Sequence, residues 1–244
     1  MSDVKKYVVI GNGTAAVGCI EGIRSVDGEG RITVVSGESR HVYCRPLISY
    51  YLEGKTDLER MKYRPDDFYA ENGCEVLYGV KATAIDCGAK TIALDNGESL
   101  SYNELCVAAG SSPFVPPMKG LETVEKKFGF MTLDDTLELE KAITPDSRVL
   151  IVGAGLIGLK CAEGICGRVA GITVCDLADR VLSSILDNAS AAVVQRKLEE
   201  NGIGEEEKKS VIMVGDRKHD VEGAKKTGLS VVGVLYGYGS REEL

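Results

Sequence analysis

The same glycine-rich pattern occurs twice in this chain, each time directly after an apolar run. The first copy, GNGTAA, begins at Gly11 after the run YVVI, and the second, GAGLIG, begins at Gly153 after VLIV. A single G-x-G-x-x-G/A motif is weak evidence for a dinucleotide site. Here both copies follow a β-branched run and open a helix-forming stretch, which is the context the motif requires. Each copy therefore predicts a strand, a tight turn and a helix that together hold a dinucleotide.

Each position of this fingerprint has a physical role. The first glycine permits the tight turn, the second lets the backbone approach a pyrophosphate, and a small third residue lets the helix pack close to the strand. The helix N-terminus offers free N–H groups and a positive dipole end to the phosphates. The predicted dinucleotide contacts at the two turns are Gly11, Gly13, Thr14, Ala15, Ala16, Gly153, Gly155, Leu156, Ile157 and Gly158.

An acidic residue near the end of the next strand completes each predicted unit. In the second unit this residue is Asp176, whose carboxylate can accept both hydroxyls of a ribose. No arginine directly follows Asp176, which favours NAD over NADP, although Arg180 leaves NADP open. In the first unit the corresponding acid is predicted to be Glu38, one or two positions later than ideal.

Composition restricts the other classes of function. A net charge of -8 gives no general attraction to nucleic acid or anionic lipid. No apolar run reaches the length of a membrane span, and the polar start is not a signal peptide. The eight cysteines are dispersed without a C-x-x-C pair, and only two histidines are present. We therefore expect a cytoplasmic protein with reduced cysteines and no metal site.

The hydrophobic pattern predicts an α/β fold. It consists of a Rossmann-like domain with an antiparallel excursion, a partial second Rossmann unit and a short α/β tail. A turn at Asp95-Asn96-Gly97 ends the excursion. The predicted helices span 15–25, 48–52, 65–71, 133–142, 156–166 and 188–201. The predicted strands span 7–10, 31–36, 75–80, 83–86, 91–94, 105–108, 148–152 and 171–176, and the tail is β-rich at 211–214 and 231–235.

These motifs give residues 1–203 a family resemblance. They resemble the front half of the pyridine nucleotide-disulfide oxidoreductases, of the rubredoxin, ferredoxin and nitrite reductase flavoprotein type. The matching segments are GNGTAA, YCRPL at 43–47, VAAGSSP at 107–113 and GAGLIGLKCAE at 153–163. The resemblance implies FAD bound by residues 1–118, NAD(P)H bound by a partial domain at 119–203, and hydride transfer to the flavin. It implies an electron acceptor, for which a small redox protein is one candidate, and it leaves the oligomeric state open.

The resemblance also implies contacts to FAD outside the fingerprint. Arg45 would lie near the flavin diphosphate or ring, and the strand ending near Val80 would give backbone contacts to adenine. Ala109 and Gly110 would lie beside the cofactor, with Ala109 in place of the family's usual threonine.

Two residues are candidates for chemistry. Related reductases often pair a lysine and a glutamate beside the flavin, at positions that Tyr50 and Lys160 occupy here. We hypothesise that Lys160 supplies the family's positive charge; the alternative is a solvated lysine on the helix. Cys44 is a candidate redox thiol, but no partner cysteine lies nearby in sequence, so an ordinary thiol is the alternative.

Residues 204–244 have a different pattern. From Val211 onward they resemble the last part of haloacid dehalogenase superfamily phosphatases of the phosphoglycolate phosphatase type, which implies magnesium ligands at Asp216 and Asp220. The nucleophile motif D-x-D-G-T is absent from the sequence, so we expect no phosphatase activity. A rival interpretation makes Val214-Gly215-Asp216 an imitation of the family's late flavin segment.

Three functions follow from this sequence. The first is an FAD-dependent NAD(P)H oxidoreductase. The second is a dinucleotide-binding fragment of a truncated or fused gene with little activity, because the late flavin segment and interface domain of the family are missing. The third is a phosphatase-related hydrolase. We also expect the tail strands to cover the open edge of the second sheet.

Overall fold

The chain divides into two compact units. In the computed structural model, residues 4–115, 117–118, 120–203, 212–215 and 230–233 are described, the last two ranges by their backbone. Unit 1 consists of Met1–Ile48 and Thr56–Glu122, and unit 2 of Ser49–Lys55 and Thr123–Leu244.

Regular elements alternate along the chain. The strands are β1 (Lys6–Ile10), β2 (Arg31–Ser36), β3 (Cys74–Tyr78), β4 (Ala82–Asp86), β5 (Thr91–Leu94), β6 (Ser99–Ser101), β7 (Glu104–Val107), β8 (Arg148–Val152), β9 (Gly171–Cys175), β10 (Ile212–Gly215) and β11 (Ser230–Gly233). The helices are α1 (Thr14–Val26), α2 (Ile48–Leu52), α3 (Phe68–Glu71), α4 (Leu133–Ala142), α5 (Leu156–Ile165) and α6 (Asn188–Glu200).

Unit 1 is built on a parallel sheet with the strand order β3-β2-β1-β7. Side chains alternate between its two faces, so neighbouring residues of β1 enter different cores. Val9 packs with residues of α1 and α3, including Ile20 and Phe68. Val8 and Ile10 pack on the opposite side in a core that includes Ile92 and Leu94 of β5. The central strands are apolar on both sides because both faces of this sheet are covered.

The cover of the second face is the antiparallel sheet β4-β5-β6. The predicted excursion and its turn are confirmed, with Gly97 at a φ of +87° between β5 and β6. β6 itself was not predicted, because Leu100 is the one apolar residue in this three-residue strand. β3 ends at Tyr78, so the prediction of a strand reaching Val80 was two residues too long.

Unit 2 contains the second β-α-β element. β8 and β9 pair in parallel, and α5 connects them. Helix α4 begins with a capping box, in which the Thr132 hydroxyl accepts from the backbone N–H of Asp135 and the Asp135 carboxylate accepts from that of Thr132. Ile203, just after α6, forms an isolated parallel bridge with Ile172 of β9.

The tail strands form a sheet of their own. β10 and β11 are parallel to each other, and within the described ranges neither pairs with β8 or β9. The expectation that they cover the edge of the β8-β9 sheet is therefore wrong for the described residues. Separately, none of the helices in the described residues is long and apolar enough to cross a membrane.

Candidate dinucleotide-binding sites

The two fingerprint turns have the same backbone geometry. Gly11 and Gly153 both adopt a φ of +111°, a conformation that favours glycine because it lacks a Cβ. The N–H of Gly11 donates to the carbonyl of Val35 at 2.8 Å, and that of Gly153 donates to the carbonyl of Cys175 at 2.7 Å. At both places the backbone therefore turns sharply at the carboxyl end of a parallel strand, β1 or β8, where ligands bind in open α/β sheets.

Both turns lead into a helix N-terminus that faces open space. Gly13 and Gly155 are the N-cap residues of α1 and α5, and no side-chain hydrogen bond from the described residues caps either helix. A Cβ built on either glycine would meet no described atom within 4 Å. First-turn N–H groups have no partner within their own helix, so each turn presents donors and room to an anion. The residues at both turns therefore fit a pyrophosphate.

The residues beside these N-caps are largely exposed. Thr14 and Ala15 of α1 are exposed, and in α5 the side chains of Leu156 and Ile157 are 59% and 51% exposed. Their predicted contact with dinucleotides stays a prediction, and their exposure leaves room for it.

The third fingerprint position differs between the units. In unit 1 it is Ala16, whose methyl group is completely buried. In unit 2 a Cβ on Gly158 would lie 2.0 Å from the carbonyl oxygen of Gly153, which excludes any side chain. Unit 1 has its close approach elsewhere, since a Cβ on Gly11 would lie 2.1 Å from the carbonyl oxygen of Ala108. In unit 1 the turn therefore packs most tightly against the backbone just after β7, and in unit 2 it packs most tightly against helix α5.

Asp176 lies directly after β9, and its side chain contacts the backbone of the second turn. Its carboxylate accepts from the N–H of Ala154 at 2.6 Å and from the N–H of Ala178 at 2.8 Å. A carboxylate has about four lone-pair sites, so this one can still accept from ribose hydroxyls. At the matching register position of β2, unit 1 has the buried Ser36 instead of an acid.

The Arg180 guanidinium, a few residues after Asp176, is held by backbone carbonyls. Its guanidinium donates to the carbonyl of Leu186 at 3.2 Å and to that of Ser183 at 3.1 Å, and it pairs with Asp179 at 3.0 Å. These bonds engage all three nitrogens of the guanidinium group.

Glu38 in unit 1 is brought into contact with Arg45, a second predicted FAD contact. The Arg45 guanidinium lies 2.5 Å from one Glu38 carboxylate oxygen, and the Tyr43 hydroxyl donates to the other at 2.6 Å. The Arg45 guanidinium also lies 5.4 Å from the centre of the Tyr43 ring, within cation–π range. The sequence predicted the acid and the base separately and missed both their pairing and Tyr43.

Asn12 and Tyr69 are further residues that sequence reasoning missed. Asn12, between the two glycines of the first fingerprint, donates to the carbonyl of Arg40 at 3.1 Å and accepts from the Tyr69 hydroxyl. Tyr69 is 7% exposed, and burial raises the pKa of its hydroxyl. The hydrogen bond to Arg40 links the segment that follows Glu38 to the glycine turn. The sequence signal that could have indicated this role is the side-chain amide of Asn12 between two fingerprint glycines.

Three further predicted contacts lie near the same end of the unit 1 sheet. Gly110 has a φ of +72° just beyond β7, and Ala109 before it is exposed. The N–H of Val80 donates to the carbonyl of Ser36 at 2.9 Å. A backbone contact from Val80 to adenine therefore cannot use that N–H.

Lys160 takes part in a charged cluster of unit 2. Its ammonium group lies 2.5 Å from a carboxylate oxygen of Glu163 and 4.9 Å from the centre of the Tyr50 ring. The hydrogen bond to Glu163 raises the pKa of Lys160. Lys55 lies 5.8 Å from the same ring and pairs with the nearly buried Glu53. The two positions that carry a lysine–glutamate pair in related reductases are thus neighbours here, and Lys160 is not a freely solvated lysine.

Cys44 is half-buried at the start of a 3₁₀ turn that spans Arg45–Leu47. Its N–H donates to the carbonyl of Met61 at 2.7 Å. All eight cysteines lie among the described residues and are free, so redox chemistry at Cys44 stays a prediction. Among the residues the structure describes, no three potential ligands group to hold a metal. Asp216 and Asp220 lie outside those residues.

The comparisons with known proteins agree on one family. A family model described as pyridine nucleotide-disulphide oxidoreductase matches residues 5–243. The chain is 34% identical over 228 residues to the NADH-dependent phenylglyoxylate dehydrogenase subunit epsilon of Aromatoleum evansii. That match covers 91% of this chain and 52% of the relative. It is 29% identical to rubredoxin-NAD(+) reductase of Pseudomonas putida, over 81% of this chain and 51% of the relative.

A solved structure shows the same fold. The covalent putidaredoxin reductase–putidaredoxin complex matches with a TM-score of 0.72 and 27% identity, over 83% of this chain and 49% of that one. This chain therefore spans about half the length of these relatives.

Proposed function

This chain belongs to the pyridine nucleotide-disulphide oxidoreductase family, and from that premise we propose that it is an FAD-dependent oxidoreductase that uses NADH. Unit 1 would hold FAD and unit 2 would hold NADH. The observation that carries the proposal is the repeated turn, with the same glycine φ and strand–turn hydrogen bond in both units and an uncapped helix behind each.

The roles of the residues follow from their positions. N–H groups at the starts of α1 and α5 would bind the two pyrophosphates, and Asp176 would orient the NADH ribose. Glu38 and Arg45 would orient FAD as one ion-paired group, so a ribose or diphosphate would have to share them. The bound coenzymes supply hydride donation and electron acceptance, while the protein supplies their alignment.

We propose NADH rather than NADPH as the electron donor. Arg180 is bound to backbone carbonyls, and Asp176 would repel a ribose phosphate. Two of the relatives have NADH or NAD(+) in their names.

For the acceptor we propose a small redox protein. The names of two relatives contain rubredoxin and putidaredoxin. The half-buried ammonium group of Lys160, partly offset by Glu163, is proposed to supply positive charge near the flavin.

The remaining sequence predictions also stand as proposals. We propose domains at 1–118 for FAD and 119–203 for NADH, and a cytoplasmic location, which eight free cysteines support. For residues 204–244, the spacing of Asp216 and Asp220 supports a haloacid dehalogenase-like origin. The family match through residue 243 supports the rival interpretation, in which Gly215-Asp216 serves FAD.

An absorption spectrum of the purified chain tests the function. We expect a flavin spectrum, as purified or after incubation with FAD, that NADH bleaches under anaerobic conditions. A flavin spectrum that NADH leaves unchanged would identify a dinucleotide-binding fragment instead. Colourless protein that releases phosphate in the presence of magnesium would identify a hydrolase, and calorimetry without heat from FAD and NADH would exclude both nucleotide functions.

A further inference from the structure

Two cysteines from different elements of unit 1 contact each other. Cys19 lies on α1 and Cys106 lies on β7, and their thiol groups share a hydrogen bond. Both side chains are half-buried and pack against the hydrophobic core that contains Val9 and Ile20. Neither cysteine is part of a disulfide. The contact therefore brings together two free thiols from segments that are far apart in the sequence.

The packing of α1 on the sheet explains why these two thiols meet. Cys106 of β7 lies opposite Val9 of β1, so both side chains are on the face of the sheet that α1 covers. On α1, Cys19 and Ile23 are one turn apart, and both pack against the same core. The two thiols are thus held by a helix and a strand rather than by a loop.

The surroundings of Cys19 keep it in its thiol form at neutral pH. Burial, followed by the contact with Cys106, raises the pKa of Cys19. The thiolate is the form that reacts in disulfide exchange, so a raised pKa slows the reaction without preventing it. A disulfide requires the two sulfur atoms to approach to about 2.05 Å. Thiols that already contact each other need only a small movement to reach that distance.

The partner of each thiol decides how far its oxidation can proceed. Cys74 donates to a backbone carbonyl at 3.5 Å, and Cys166 donates to another at 3.2 Å. A carbonyl cannot displace a group bound to sulfur, so oxidation of these cysteines by a small disulfide stops at a mixed disulfide. Cys19 and Cys106 instead have a second thiol within reach, which is what completion of an internal disulfide requires.

We propose that Cys19 and Cys106 form a site of reversible oxidation, which takes a low-molecular-weight disulfide such as oxidised glutathione as its oxidant. One protein thiolate attacks a sulfur of the reagent, which gives a mixed disulfide and releases one glutathione thiol. The other protein thiolate then displaces the second glutathione and forms the bond between the two cysteines. In total the protein thiols lose two protons and two electrons, and the two glutathione molecules gain them. The bond would tie α1 to β7.

Peptide mapping under non-reducing conditions tests the proposal. The folded 244-residue chain is incubated with oxidised glutathione at mildly alkaline pH, its remaining thiols are alkylated, and the digested protein is analysed by mass spectrometry. We expect most of the recovered Cys106 to be in a peptide pair linked to Cys19. Treatment with dithiothreitol before alkylation should separate this pair.

Three variants make the test specific. Cys19→Ser and Cys106→Ser should each abolish the linked peptide pair and leave the remaining cysteine of the pair as a mixed disulfide with glutathione. Cys74→Ser is the matched control, because Cys74 packs against the same core but bonds to a backbone carbonyl. This variant should form the linked pair in the same yield as the unchanged chain, within twofold.

Three results would overturn the proposal. Glutathione adds to exposed cysteines such as Cys87 and no peptide pair linked through Cys19 and Cys106 forms, or that pair forms only after the chain is unfolded in urea. In both cases the two thiols serve only as small apolar groups in the core. Alternatively, the linked pair is found only in a disulfide-linked dimer on non-reducing gels, which would place the bond between two copies. None of these readouts uses FAD or NADH, so they are independent of the proposed oxidoreductase function.

Discussion

Gly13 and Gly155 differ from Gly11 and Gly158 in what a side chain would meet. At Gly11 and Gly158 an added Cβ would collide with backbone atoms, so substitution there disturbs folding. At Gly13 and Gly155 it would enter open space, and their φ angles of -108° and -78° suit any residue. A methyl group at these two positions therefore tests the ligand rather than the fold.

Gly13→Ala is expected to weaken FAD binding by about tenfold or more, equivalent to about 1.4 kcal/mol, with the fold retained. The methyl group would occupy the space through which a pyrophosphate approaches the helix N-terminus. Titration with FAD, followed by flavin fluorescence, measures the change.

Gly18→Ala is the matched control in the same helix. Gly18 is exposed and a Cβ there would also meet nothing within 4 Å among the described atoms, so the substitution should raise helix stability by about 1 kcal/mol without changing FAD affinity. Equal FAD affinity in the two variants would show that the first turn does not hold the coenzyme.

Asp176→Ala is expected to weaken NADH binding by roughly 10–100-fold, because hydrogen bonds to a charged group contribute about 1.5–3 kcal/mol. The variant also removes the acceptor for the N–H groups of Ala154 and Ala178. Asp179→Ala removes a nearby carboxylate that is 82% exposed and should leave NADH affinity unchanged. Calorimetry with NADH measures both, and tighter binding of NADPH than NADH by the unchanged chain would contradict the role of Asp176.

At the scale of elements, the connection between α1 and β2 depends on one carboxylate. Asp27 accepts from the N–H groups of Gly30 at 2.8 Å and Glu29 at 2.9 Å, and from the Tyr7 hydroxyl at 2.9 Å. These hydrogen bonds, that from Gly30 first, hold the pKa of Asp27 below its usual range. The bond to Asp27 also raises the pKa of Tyr7.

A lowered carboxyl pKa stabilises the fold above the usual carboxyl pKa, and this stabilisation is lost as the pH falls through the folded-state value. Asp27→Asn should therefore lower the free energy of unfolding at pH 7, and the difference from the unchanged chain should shrink in acid. Urea unfolding at several pH values measures this difference. Glu29→Gln, in the same connection but exposed, is the control, and a pH-independent effect of Asp27→Asn would argue against the charge.

At the scale of the whole molecule, each unit has its own core and its own glycine fingerprint turn. We expect FAD to slow amide hydrogen exchange in the 11–16 turn and NADH to slow it in the 153–158 turn. Gly13→Ala should remove the first protection at a fixed FAD concentration and leave the second intact. Protection of both turns by one nucleotide alone would contradict the assignment of one coenzyme to each unit.

Much of the fold could be read from local pattern. Strands 31–36, 91–94 and 148–152 and helices 48–52 and 133–142 were predicted with the bounds that the structure has. Side-chain periodicity and glycine turns act between near neighbours in sequence, so they are visible without a tertiary structure. The two glycine turns followed from the same local information.

The sequence by itself thus determined most of the elements and the two glycine turns, and it singled out Glu38, Arg45 and Asp176. Only the tertiary structure decided that Glu38 and Arg45 form one ion pair and that Lys160 lies over Tyr50. It also decided that Leu150 of β8 is exposed where Val8, at the matching position of β1, is buried. The alternation of apolar residues is similar in both strands, but burial depends on what packs against them. That packing comes from segments far away in the sequence, whose positions no local pattern records.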